Sequence, residues 1–73
     1  MSKKILLGER LKSLRNEKNV PQAKLAELLG VTRTQISDIE NNKTATTLER
    51  LWKLADYFDV TIDYLVGRSN NRK

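Results

Sequence analysis

The sequence predicts an all-α domain: five short helices around one core. Three observations predict it. Apolar residues recur at helical spacing, and no β-branched alternating run is present. One proline and three glycines (Gly8, Gly30, Gly67) interrupt the 73 residues. Thr32, Thr46 and Thr61 stand at expected helix starts, where a hydroxyl can accept from a free backbone N–H.

The first helix is expected over about 7–18, with Leu7, Leu11 and Leu14 on one face; Asn19 and Pro21 end it. The second begins at Pro21 or Gln22 and runs to Leu29, with Ala23, Leu25, Ala26, Leu28 and Leu29 as its apolar set. Gly30 then stands where a left-handed residue closes a helix. The third opens on a capping box, Thr32 with Gln35, and ends near Asn41-Asn42. A second capping box, Thr46 with Glu49, is expected to open the fourth. Leu48, Leu51, Trp52, Leu54, Ala55 and Phe58 form its apolar stripe, which places Trp52 and Phe58 in the core. The fifth runs from Thr61 to Val66, with Gly67 as its stop.

Composition removes several function classes. A chain this short holds one domain and buries only about 60% of its unfolded surface. It contains no cysteine, so it has no disulfide framework or thiolate metal site, and no histidine, the usual general base and zinc ligand. No metal and no cofactor is expected. The longest apolar run near the start, Ile5-Leu6-Leu7 after Lys3 and Lys4, is too short for a membrane span or a signal segment. No membrane partner is expected, and the expected location is cytoplasmic.

Charge is uneven. The chain carries +5 overall. Residues 1–43 hold nine basic and five acidic side chains; residues 44–66 hold two and four; Arg68, Arg72 and Lys73 make a basic tail. Such a division suits a polyanion-binding surface opposite a non-binding one, and equally an ordinary basic solvated surface.

The turn between the second and third helices is only Gly30 and Val31, so the helices must meet at a steep angle, with small Ala26 permitting close approach. At 100° per residue, Ile36 and Ile39 face inward. Thr34 and Asn41 point away, flanked by Ser37 and Asp38, with Arg33 at the edge. These groups can hydrogen-bond base edges in a major groove, although any exposed helix face is polar.

The stretch from Gln22 through Ala26, Gly30, Ile36 and Ile39 to Asn41 resembles the twenty-residue unit of phage repressors and Cro-like regulators, the XRE-type helix-turn-helix family. Leu11-Lys12-Ser13-Leu14-Arg15 resembles that family's first helix, and 58–67 its closing turn and fifth helix. Two positions depart from the pattern. Pro21 replaces a side-chain N-cap, and Asn42 replaces a frequent glycine, which asparagine can stand in for.

The resemblance implies a lambda-repressor-like fold: an arm at 1–6, a DNA-binding domain at 7–66 with its helix-turn-helix unit at 22–41, and a tail at 67–73. It implies base reading by Arg33, Thr34, Ser37 and Asp38. Asp38 serves there only by accepting from cytosine N4 or by restraining an arginine, and Thr34, not Arg33, lies one turn back. Phosphate contacts fall to Arg15, Gln22, Thr32, Asn41, Asn42 and Lys43, with Thr44 in the same loop. Arg15 and Glu40 match a family ion pair. Tyr57, Val60, Ile62, Tyr64, Leu65 and Arg68 fall where the family usually dimerises.

The expected function is a sequence-specific, DNA-binding transcriptional regulator. It is most simply a repressor that occludes a promoter from a palindromic operator on double-stranded DNA, as a homodimer without a small-molecule ligand. The alternative is an antitoxin-like or anti-regulator protein whose main partner is another protein; the seven residues after Val66 leave little to clamp one. An enzyme is not expected, since Ser37 and Asp38 have no base and no phosphate-binding glycine loop exists.

Overall fold

A computed structural model describes residues 5–73 and shows the expected five helices: α1 (Leu7–Glu17), α2 (Gln22–Leu29), α3 (Arg33–Glu40), α4 (Leu48–Phe58) and α5 (Ile62–Val66). Most of the predicted arm, residues 1–4 with Lys3 and Lys4, lies outside the described residues. Leu6, at its end, is tied into the fold, donating its N–H to the Val66 carbonyl at 3.0 Å.

The core draws on every helix. Leu11 and Leu14 of α1, Leu25 of α2, Ile36 of α3, Leu54 of α4 and Leu65 of α5 are the largest fully buried side chains. Each helix turns one apolar side to this core, so five marginal helices become one cooperative unit.

Chain reversals follow the turn chemistry. α1 stops at Glu17, one residue before the expected end. Asn19 adopts a left-handed φ of 56°, and Val20 donates back to the Arg15 carbonyl at 2.9 Å. Pro21 is extended and supplies no side-chain cap to α2. Thr61 caps α5 as expected, its hydroxyl accepting from the Tyr64 N–H at 3.0 Å.

α4 departs from expectation twice. Its cap is Thr47, not Thr46: the Thr47 hydroxyl accepts from the Arg50 N–H at 3.2 Å. Glu49 therefore lies too early to close a capping box and pairs with Lys53 at 3.6 Å. Thr46 Oγ1 is buried without a hydrogen-bond partner among the described residues. The second departure is Trp52, which is 61% exposed, with Leu48 at 68%. The apolar stripe from Leu54 round to Trp52 spans about 160° of the helix at 100° per residue. The core covers only the Leu54, Ala55 and Phe58 side, leaving Leu48 and Trp52 outside.

The C-terminal residues fold back onto the domain. Arg10 of α1 donates to the carbonyls of Tyr64 (2.7 Å) and Ser69 (2.5 Å), with its guanidinium 4.2 Å from the Tyr64 ring centroid. Arg72 forks onto Glu17 at 2.8 and 3.0 Å, Lys73 pairs with Asp59, and Arg68 lies 4.0 Å from Asp63. The three tail cations are thus matched by carboxylates of the same chain.

Candidate nucleic-acid interface

Gly30 makes the α2–α3 turn possible. It holds φ 67°, a conformation costly for residues with a Cβ. Val31 then donates to the Ala26 carbonyl at 3.0 Å, closing α2. Two residues on, the capping box forms as predicted: Thr32 Oγ1 accepts from the Gln35 N–H at 3.1 Å, and Gln35 Oε1 accepts from the Thr32 N–H at 2.8 Å. The start of α3 is fixed by local chemistry alone.

α3 buries Ile36 and Ile39 and turns the other side outward. Arg33 and Thr34 are exposed in its first turn, and Ser37 and Asp38 are half-buried one turn on. All four predicted base-reading residues therefore lie on one accessible strip, with Asn41 at its end donating to Ser37 Oγ at 3.4 Å.

What holds this strip is a buried ion pair at the far end of α3. Arg15 Nε donates to Glu40 Oε2 at 2.5 Å and Nη2 to Oε1 at 3.2 Å, while Nη1 donates to the Val20 carbonyl at 3.1 Å. Gln22 Nε2 donates to the same Glu40 Oε1 at 3.0 Å. Glu40 thereby joins α1, the start of α2 and the end of α3 through one buried carboxylate. Three of the five guanidinium donors of Arg15 are spent inside the fold. The Arg15–Glu40 pair is the one the resemblance implies, and it leaves at most two of the Arg15 N–H groups for a phosphate.

The loop after α3 also divides differently from expectation. Asn42 takes the left-handed φ of 56° that its place in the pattern requires. Its side chain is used internally, however: Oδ1 accepts from the Gly8 N–H at 3.1 Å and Nδ2 donates to Glu9 at 2.7 Å. The backbone N–H groups of Asn41, Asn42 and Lys43 all return to α3 carbonyls, at 3.0, 3.1 and 2.9 Å. Asn42 is thus a loop anchor, and the outward donors here are the side chains of Lys43 and Asn41. Gly8 and Glu9 were missed from sequence because they contact this loop across more than thirty residues.

The expected dimer residues do not form one open surface. Leu65 is fully buried in its own core, and its place there removes it from any interface. Tyr64 is half-buried between the guanidinium groups of Arg10 and Arg72. Val60 and Ile62 are half-buried, while Tyr57 and Arg68 are exposed.

Two helices joined by a glycine turn, the second capped, braced from behind and open along one polar strip, define a helix-turn-helix domain. The Helix-turn-helix family model matches residues 11–65, and the chain belongs to that family, in its phage-repressor-like, XRE-type branch. It is 45% identical over 60 residues to the HTH-type transcriptional activator BcrR of Enterococcus faecalis, covering 82% of this chain and 29% of that protein. It is 37% identical over 62 residues to the CTXphi transcriptional repressor RstR of Vibrio cholerae, covering 85% of this chain and 55% of that one. The chain thus spans about half or less of those relatives. The P22 c2 repressor, solved in complex with a synthetic operator, superposes with a TM-score of 0.79 at 28% identity, over 93% of this chain and all of that one.

Proposed function

We propose that this chain is a DNA-binding transcriptional regulator that reads a palindromic operator as a homodimer, with α3 of each copy in a major groove. The observation that carries the reading is the strip Arg33, Thr34, Ser37 and Asp38. It is solvent-accessible, free of large apolar groups and held rigidly by the Thr32–Gln35 cap and the Glu40 brace. A helix presented this way suits direct readout, because its side chains start from one fixed register.

Supporting groups flank it. The start of α2 has no side-chain cap, which leaves N–H groups and the positive end of the helix dipole for a phosphate beside Gln22. Lys43 and Asn41 offer donors at the other end, and Thr32 offers its hydroxyl edge. Occlusion of a promoter gives repression, the role named for RstR; BcrR is named an activator, so the same domain serves either outcome. The chain acts by binding and not by catalysis, on DNA in the cytoplasm. No described helix is long and apolar enough to cross a membrane.

Selection of bound sequences from a random DNA pool at physiological salt, followed by a salt titration, tests the reading. An inverted repeat with half-sites about one helical turn apart is the expected product. An unenriched pool with weak, steeply salt-dependent binding would overturn it, leaving only a non-specific basic face.

A further inference from the structure

We propose that the cleft between the segment before α1, the loop after α3 and the end of α5 binds a small aliphatic carboxylate, and that the bound anion weakens DNA binding by engaging Lys43. The coupling to DNA rests on the phosphate role proposed above for Lys43; the binding site itself does not.

The cleft holds about 1090 Å³, at the upper end of the size of small-molecule sites. Its apolar walls come from Ile5, Leu7, Ala45, Leu51 and Val66, with no aromatic ring among them. The 3.0 Å bond from the Leu6 N–H to the Val66 carbonyl ties two of these segments together, so the cleft is built by the fold. Ile5 is 68% exposed, an apolar side chain left uncovered. The lining residues are spread from position 5 to position 68, so no local pattern reveals the cleft, and no small-molecule ligand was expected from the sequence.

The charges select the ligand. Lys43 and Arg68 line the cleft, and no aspartate or glutamate does. The carboxylates nearby serve other groups. Asp63 lies 4.0 Å from Arg68, with both side chains largely in solvent, so that pair is weak. Glu9 accepts from Asn42 Nδ2 at 2.7 Å. A cationic ligand would be repelled, and a neutral one would leave both cations unmatched. A carboxylate matches an arginine fork, and an aliphatic body matches the walls. Thr46, also in the lining, has a buried hydroxyl without a hydrogen-bond partner among the described residues. Turned outward, that hydroxyl offers a donor to an oxygen of the ligand. Lys43 is shared between the cleft and the loop that faces DNA, so the bound anion competes with a phosphate for one ammonium.

The test is a titration of the whole chain, without DNA, with sodium octanoate against matched sodium chloride, followed by amide NMR. Saturable shifts are expected at residues 44–46 and 66–68, with the α2 amides unmoved. Hexanoate, two methylenes shorter, should bind about tenfold more weakly. Octan-1-ol, which lacks the charge, should also bind at least tenfold more weakly. Arg68→Gln and Ala45→Glu, both at exposed positions, should each weaken octanoate about tenfold or more, with circular dichroism showing the helices intact. Shifts that never saturate, octanol binding as tightly as octanoate, or an affinity that ignores both variants would overturn the site. Shifts at the same amides on concentrating the chain alone would give the cleft to a second copy instead. Fluorescence anisotropy on duplex DNA reads the coupling. Saturating octanoate should raise the dissociation constant severalfold over matched sodium chloride, and Lys43→Ala should abolish that rise. Octanoate binding with unchanged DNA affinity overturns the coupling. A chain that takes up octanoate yet binds no DNA sinks the DNA reading and leaves the site standing.

Discussion

Gln22 and Glu40, eighteen residues apart, are joined by a 3.0 Å hydrogen bond from Nε2 to Oε1, on the same buried carboxylate that Arg15 holds. One carboxylate therefore fixes both the side chain at the start of α2 and the end of α3. A buried pair adds little over an apolar replacement, yet removing one partner strands the other charge. Glu40→Ala should lower stability by about 3–5 kcal/mol in urea unfolding. Arg15→Met with Glu40→Met should cost much less than the two single changes added together. Additive losses would show that the three side chains do not act as a unit.

Gly8 and Gly30 make contrasting predictions. A Cβ at Gly8 would lie 2.5 Å from the Glu40 carbonyl oxygen and 2.6 Å from Asn42 Oδ1, and the first of these is backbone that cannot swing aside. Gly8→Ala should therefore push α1 from the end of α3 and cost about 1–3 kcal/mol, the usual range for overpacking. At Gly30 nothing lies within 4 Å, and only the left-handed φ opposes a side chain. Gly30→Ala should cost about 1 kcal/mol. Denaturant midpoints decide: a Gly8→Ala protein as stable as the parent would show that α1 and α3 do not approach this closely.

The signals that the sequence carried plainly are those that act within one turn. Thr32 with Gln35, Thr61, Gly30 and Gly67 each satisfy backbone groups a few residues away, so spacing alone located them. The Arg15–Glu40 pair lies 25 residues apart and was reached only through the resemblance. Trp52 was misplaced because periodicity shows that a helix has an apolar side, not how much of it a neighbour covers. Thr47 displaced Thr46 because adjacent threonines offer two caps, and spacing alone does not say which is used. The Asn42–Gly8 and Arg72–Glu17 contacts have no local signature, so neither the anchoring of the loop by Asn42 nor the pairing of the basic tail shows in the sequence.

That clasp has a pH signature. Arg72 donates two hydrogen bonds to Glu17, which holds the Glu17 carboxyl below its ordinary value of 4.5, while Glu17 raises the affinity of Arg72 for its proton. A carboxylate depressed in the folded state stabilises above its unfolded pKa, and the contribution fades as pH falls through the folded value. Both groups are exposed, so the effect is small and salt-sensitive. In an NMR titration the Glu17 midpoint should return toward 4.5 in Arg72→Ala and rise with added salt in the parent. A midpoint that ignores both changes would mean that the tail is not held against α1.

The division of the interface into reading and anchoring groups predicts different losses on DNA. Lys43 extends from the loop after α3 with its backbone N–H already bonded to the Asp38 carbonyl, so only its ammonium is available to a phosphate. Lys43→Ala should weaken cognate and random DNA alike and lower the slope of affinity against salt by about one unit. Arg33, exposed at the first position of α3, can take guanine O6 and N7 together. Arg33→Ala should cost about 1–3 kcal/mol on the selected site and far less on random sequence. Asn42→Ala is the discriminating control. Because its amide is spent on Gly8 and Glu9, it should lower the unfolding midpoint as well as the affinity, whereas Lys43→Ala leaves stability unchanged. Equal losses for Arg33→Ala on both DNAs would make Arg33 a backbone contact. Unchanged stability in Asn42→Ala would return Asn42 to the phosphate-binding set.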